Sequence, residues 1–291
     1  DIDHVAIGRN ARAHLADKIA YTLRVRPDVR AVVDRAANLL RVRKPKNQLA
    51  ASLGVDPERI RARSHSVEHH RSHLASAFFV SGFEEAALVS IDGFGDFVST
   101  MWGRGAGSDL SVFGRISFPH SLGVFYSAMT QYLGFPKYGD EYKVMGLSAY
   151  GAPDLRSPLR KVLRPTRGGF ELGLEYFRHH TAGVAMTWEG EPKFDRLYSD
   201  RLVELLGPAR EPRGEMTDRY KEIAATTQAL FEEAWFEILD AAADSTRSRR
   251  LCLAGGCAHN SLAAGKIRPR GRFDEVFVQP AAGDAGTALG A

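Results

Sequence analysis

The chain reads as a layered α/β protein. Three observations predict this. Short β-rich runs end in Gly or Asp-Gly, apolar stretches with a spacing near 3.6 residues stand between them, and the last 42 residues hold two strand, glycine-turn, helix units in succession.

In chain order, 3-DHVAI-7 reads as a strand. The run 27-PDVRAVVDRAANLLRVR-43 has helical apolar spacing. A second helix is predicted from Val67 to Phe79, with Ser64 or Ser66 as its cap. The β-rich 86-AALVSID-92 ends at Gly93, and 98-VSTMWGRG-105 and 110-LSVFGRIS-117 alternate as antiparallel strands would. Residues 122–135 form a helix whose apolar face is Leu122, Phe125, Tyr126, Met129 and Leu133. From about Pro153 to Pro212 the chain is rich in Pro, Arg, Gly and aromatic residues and weakly periodic. We read it as an insertion shaping a substrate pocket, with Phe170, Tyr176, Phe177, Trp188, Phe194 and Tyr198 either in that pocket or in the core. A long amphipathic helix follows from about Asp218 to Ala243, turning Ile223, Leu230, Phe231, Ile238 and Leu239 inward. The units 250–267 and 274–291 complete the chain.

Composition narrows the function classes. Of 291 residues 44% are hydrophobic and 25% charged, as in an ordinary globular protein. The net charge of +4 is spread along the chain, so no clustered basic footprint for nucleic acid is expected. The apolar runs are too short to predict a membrane span. Two cysteines, Cys252 and Cys257, cannot make a four-ligand metal site, and a reduced, cytoplasmic protein is the simplest expectation.

Several residues can carry chemistry. His69 and His73 stand at i and i+4 on one helix face, a spacing that can chelate one ion. Residue 70 is His rather than Glu, so the general base of the zinc-protease motif is missing. Two histidines and a carboxylate suit Fe(II) and other divalent ions. Asp92 and Asp284, each following a strand, are the candidate carboxylates. The turn 91-IDGFGD-96 could present backbone N–H groups to a phosphate, or be a plain hairpin turn. In 253-LAGGCAHN-260, two glycines between strand and helix allow a phosphate or nucleotide to approach, although neither a Walker loop nor GxGxxG is present. Lys143 could meet a phosphate as a point charge or stand solvated.

Taken in order, HHxxH, IDGFGD, SLGVFYSAMTQYLGF, EYKVMGLSAYG, LAGGCAHN and PAAGDAGTALGA resemble the NodU/CmcH carbamoyltransferases. The resemblance covers nearly the whole chain outside about 155–213. It implies an actin, Hsp70 and sugar-kinase type of fold, two α/β lobes around ATP, divided here as 1–152, a variable insertion 153–213, and 214–291. His69, His73 and Asp284 match the family's metal ligands, with Fe(2+) the implied ion. Asp92 and Gly93 match its phosphate loop, Gly255, Gly256 and Asn260 its nucleotide turn, and Lys143 its KVMGL lysine. Such enzymes make a carbamoyl-adenylate from carbamoyl phosphate and ATP and pass the carbamoyl group to a hydroxyl of a small natural product. His70 and His120 are the candidate general bases. The chain opens on Asp1, without the family's first strands and loop, and no YrdC-type domain follows. A fragment is therefore expected.

Two rivals stand beside this reading. A tRNA-modifying, threonylcarbamoyl-type transferase would want a dense Lys/Arg face. The other is a non-catalytic nucleotide- and metal-binding module; the intact His69, His73 and Asp284 set argues against it, since a degenerate copy should lose ligands.

Overall fold

The computed structural model describes residues 2–25, 45–184, 186–187 and 193–291. The predicted helix at 27–43 and Trp188 lie outside them.

One five-stranded sheet organises the described residues. Its strands are β3 (Glu85–Gly95), β4 (Val98–Ala106), β5 (Asp109–Ser117), β10 (Arg250–Ala254) and β11 (Glu275–Val278), in the order β11-β10-β3-β4-β5. β3, β4 and β5 form an antiparallel meander, while β10 runs parallel to both β3 and β11. Parallel neighbours need a crossover, and it contains the helix Asp218–Thr246, the long amphipathic helix of the sequence. Smaller two-stranded sheets pair β1 (His4–Ile7) with β2 (Arg63–Ser66), β6 (Leu163–Thr166) with β7 (Gly169–Leu172), and β8 (Met186–Thr187) with β9 (Lys193–Phe194).

β3 is covered on both faces, which is why it reads as a continuous apolar run rather than an alternating one. The strand period of two sorts its side chains. Ala87, Val89 and Ile91 join the larger core cluster with the helices Leu122–Tyr132 and Asp218–Thr246. Ala86 and Leu88 face the other way, onto Leu74, Ala77 and Phe78 of the helix His69–Phe78. The apolar faces predicted for 122–135 and for the long helix are buried, Ile223, Leu230 and Phe231 at 1% exposure or less.

The described residues hold one large sheet, and the larger core cluster takes side chains from 1–152, 153–213 and 214–291 alike. Of the two places open to the aromatic residues of the insertion, pocket or core, four take the core. Phe170 and Phe177 are core, Tyr176 and Tyr198 pack against it, and Leu159, Val162, Leu172, Leu202 and Leu206 are buried with them. Apolar residues scattered through an aperiodic segment are enough to seat it on the core.

Candidate metal centre

The helix His69–Phe78 lies between the sheet and the last turn of the chain, and only Arg71 of its ten residues is not buried. Its N-terminus is capped by Glu68, whose carboxylate accepts the Arg71 N–H at 2.7 Å. Ser64 and Ser66, the predicted caps, lie in and at the end of β2. A carboxylate there also suits the positive end of the helix. At the C-terminal end of the chain, Gly290 rests against the same helix. An added Cβ would fall 1.9 Å from the Ser72 carbonyl oxygen, so a larger residue would push the last turn away.

The register of β3 then builds the site. Residues of even number face the helix: Leu88 packs on it, Ser90 Oγ meets His70 Nδ1 at 2.9 Å, and Asp92 reaches His69 and His73. Asp92 Oδ2 lies 3.3 Å from His69 Nε2 and 3.1 Å from His73 Nε2. The two Nε2 atoms are 3.1 Å apart. Asp284, from the turn after β11, brings Oδ1 to 3.5 Å from His69 Nε2 and 3.8 Å from His73 Nε2. Ligand atoms of all four residues lie within 4.8 Å of one another.

This donor set fits a divalent ion. Bonds of about 2.1 Å at tetrahedral or octahedral angles put neighbouring ligand atoms about 3.0–3.4 Å apart, close to the separations here. The tautomer of His69 is also suitable. Its Nδ1 donates to the Gly8 carbonyl at 3.2 Å, which leaves the Nε2 lone pair directed into the cluster. His73 is fully buried, and its Nδ1 has no hydrogen-bond partner, so Nε2 is its one engaged nitrogen.

Electrostatics agree. Burial alone would raise the Asp92 carboxyl, but hydrogen bonds and positive charge from His69 and His73 hold it well below the usual carboxylate range. Burial opposes charging His69, yet the Asp92 hydrogen bond and the charges of Asp92 and Asp284 leave its pKa raised. Both carboxylates are thus placed to neutralise positive charge on the imidazoles or on a bound cation.

The remaining predicted site residues have other partners. Gly93 and Gly256 both direct their N–H groups to Asp92 Oδ1, at 2.8 and 3.1 Å, so these amides orient the carboxylate rather than face a phosphate. Gly255 adopts φ 87, and a Cβ there would lie 2.2 Å from the Ile91 carbonyl oxygen. Here glycine serves close packing of the β10 turn on β3. Asn260 caps the helix Ser261–Gly265 through Ala263 N–H at 3.0 Å. Its side-chain amide pairs both ways with Gln228 at 3.0 Å, and Gln228 also accepts from the Tyr126 hydroxyl. Lys143 pairs with Asp140 at 2.6 Å and lies over the rings of Phe135 and Tyr142.

Neither proposed base keeps a free lone pair. His70 is fully buried, with Nδ1 at Ser90 and Nε2 at the Val98 carbonyl, 2.9 Å each, and burial drives its pKa down to about 3. His120 accepts the Leu172 N–H at Nδ1, 3.0 Å, so the neutral ring carries its hydrogen on Nε2. Burial lowers the His120 pKa as well, which favours that neutral ring. Its outward nitrogen is a hydrogen-bond donor, not a base.

The sequence pattern described as the carbamoyltransferase N-terminus matches residues 28–291. The chain belongs to this carbamoyltransferase family. Nodulation protein NolNO of Sinorhizobium fredii is 38% identical over 240 residues, covering 81% of this chain and 31% of that protein. NolO of Bradyrhizobium diazoefficiens is 37% identical over 234 residues, covering 77% of this chain and 37% of that protein. Protein sll1178 of Synechocystis sp. reaches 40% over 227 residues, covering 77% and 35%. The chain therefore spans about a third of the length of these relatives. Among solved structures, HypF of T. kodakarensis aligns with 84% of this chain and 37% of its own, at TM-score 0.40 and 14% identity.

Sequence reasoning missed three groups that hold the site: the Gly8 carbonyl, the Glu68 cap and Asp96. Backbone carbonyls leave no trace in a sequence. Asp96 closes the quoted IDGFGD motif, and an Asp in a glycine-rich turn was the available signal.

Proposed function

We propose that this chain is the carbamoyl-transferring part of a NodU/CmcH-type enzyme. Its substrates are a carbamoyl-adenylate, formed from carbamoyl phosphate and ATP, and a hydroxyl of a small natural product. The convergence of His69, His73, Asp92 and Asp284 carries this reading, because it supplies one divalent-ion site inside a chain of this family. Fe(2+) is the first candidate, since two imidazoles with carboxylates and open positions suit it. Bound there, the ion would act as a Lewis acid toward oxygens that gain charge during transfer.

The chain's own residues do the positioning. The Asp92 carboxylate is oriented by the Gly93 and Gly256 amides, and His69 by the Gly8 carbonyl. Fixing donors in advance lowers the reorganisation required as charge develops. The two-lobed sugar-kinase-like fold and the ATP site are carried by the family resemblance alone. The amides of Gly93 and Gly256 are already committed, so nucleotide contacts would fall to other groups. Among the described residues no helix is long and apolar enough to cross a membrane.

The test uses full-length protein purified without oxygen. Metal analysis is expected to give one ion per chain, and carbamoyl transfer from carbamoyl phosphate with ATP is expected to require it. His69→Ala or His73→Ala should abolish both metal retention and transfer while circular dichroism stays unchanged. Turnover and metal content surviving both substitutions would remove the assignment. Specific retention of tRNA in a filter-binding assay would favour the nucleic-acid branch instead.

A further inference from the structure

The turn between β3 and β4 carries a second carboxylate that never touches the cluster. Asp96 adopts φ 51 and the next residue, Phe97, φ 82. They are the two central residues of the hairpin loop between the paired Gly95 and Val98, where positive φ at both is the favoured turn; Asp suits such a position and Phe is unusual there.

The surroundings are specific. Asp96 Oδ2 accepts the His69 backbone N–H at 3.0 Å and the Asn10 backbone N–H at 2.6 Å. One oxygen thus joins the first residue of the metal-bearing helix to the loop that follows β1. Two neighbours of these anchors hold the His69 ring. Gly95 lies against its face, where an added Cβ would fall 1.8 Å from Cδ2. Gly8, two residues before Asn10, accepts the Nδ1 hydrogen at 3.2 Å. His69 is therefore fixed at its backbone by Asp96, at its face by Gly95, and at its far nitrogen by a loop that Asp96 also fastens.

We propose that Asp96 is a positioning residue for the metal centre. It fastens the Gly8–Asn10 loop and the start of the helix to one oxygen, so that Gly8 holds the Nδ1 hydrogen and His69 presents a bare Nε2. The idea rests on the metal reading above and adds a residue that is no ligand. Partners that orient a ligating histidine through its other nitrogen typically change metal affinity about 10–100-fold when removed, and Asp96 acts one step further out, on the segment that supplies that partner.

The experiment titrates Co(2+) into full-length apo-protein and follows the visible absorption of the bound ion. Wild-type protein should bind one Co(2+); failure to do so would overturn the metal reading and this inference with it. Asp96→Ala should weaken binding about tenfold or more. Asp96→Asn keeps an oxygen that can accept both N–H groups and should recover most of the loss, a rescue that a general loss of charge would not show. Wild-type binding with equal affinity in Asp96→Ala would sink the role of Asp96 while leaving the metal site standing. Because Asp96→Ala could fail to fold, nitrogen NMR of the unaltered protein loaded with Zn(2+) gives a second reading. His69 should bind the ion through Nε2 and keep its hydrogen on Nδ1, and binding through Nδ1 overturns the proposal.

Discussion

Two carboxylates reach the same pair of histidines from opposite kinds of structure. Asp92 lies in the central strand just after its last regular pairing, its side chain is 16% exposed, and both its oxygens are committed: Oδ1 to two backbone amides, Oδ2 to two imidazoles. Asp284 stands on a single helical turn near the end of the chain, with its side chain 78% exposed. Their acidities move apart accordingly. The histidines hold Asp92 well below the usual range against the pull of burial. Burial at the cluster and the charge of Asp92 raise Asp284. With so much of Asp284 in solvent, repulsion from Asp92 is the stronger cause. The contrast separates two tasks: Asp92 belongs to the architecture and would stay ionised whether or not an ion is present, whereas Asp284 gains most when a cation arrives to cancel the repulsion between them.

The contrast breaks most visibly at Asp92. Asp92→Ala should lose metal retention altogether and also destabilise the fold, because the Gly93 and Gly256 amides and two largely buried imidazoles lose their common partner. Unsatisfied buried donors cost about 1–3 kcal/mol each, so chemical denaturation should show a loss of about 3 kcal/mol. An Asp92→Ala protein that is as stable as wild type would mean that the carboxylate is a ligand only.

His70 sharpens the comparison from the architectural side, since it shares the Ser90 layer of β3 directly below Asp92 and never reaches the cluster. Its folded pKa of about 3 lies below the ordinary value of about 6.5. As pH falls through 6.5 the unfolded chain takes up a proton that the folded chain refuses. The stability contributed by the neutral ring is therefore complete above pH 6.5 and is lost as pH falls from there toward 3. The slope approaches about 1.4 kcal/mol per pH unit, or about 2 kcal/mol by pH 5. His70→Gln, whose amide can still meet Ser90 and the Val98 carbonyl, should be less stable at pH 7 yet lack this acid-sensitive step. Unfolding curves in urea at pH 7 and pH 5 measure both, and an identical pH slope in the two proteins would show that His70 is not the titrating group.

Much of this site was legible in the sequence because regular periods carried it. The i, i+4 spacing of His69 and His73 fixed a shared helix face, and the strand period put Asp92 on the face of β3 that Leu88 and Ser90 share. The motif order gave the family. Asp92 and Asp284 stood as alternatives for one carboxylate position, the family resemblance giving it to Asp284 and Asp92 to the phosphate loop, and the structure brings both to the histidines. What sequence could not resolve was the competition for hydrogen bonds. Glycine-rich turns at Gly93 and Gly256 read as phosphate cradles, but their amides are taken by Asp92. Asn260 read as a nucleotide contact, but a helix cap and Gln228 occupy it. His70 and His120 read as bases until the atoms facing their nitrogens were known. Residue types advertise capacity, and only the fold shows which partner claims it first.

The smallest expected effect is at Asp284, and it decides whether the two carboxylates differ in kind. Asp284→Asn keeps a carbonyl oxygen near His69 and His73 but removes a charge that is mostly solvent-exposed and bound to little else. Stability should therefore stay within about 0.5 kcal/mol of wild type, as for other surface changes. It could even rise slightly, because the repulsion with Asp92 is gone. Metal affinity, in contrast, should fall about tenfold, since a neutral oxygen is a poorer ligand for a hard divalent ion and no longer offsets its charge. Isothermal titration and thermal unfolding of the same preparation separate the two quantities. A parallel loss of both would place Asp284 in the architecture beside Asp92. An unchanged affinity would leave Asp92 as the sole carboxylate of the centre and hand the third protein ligand position to it.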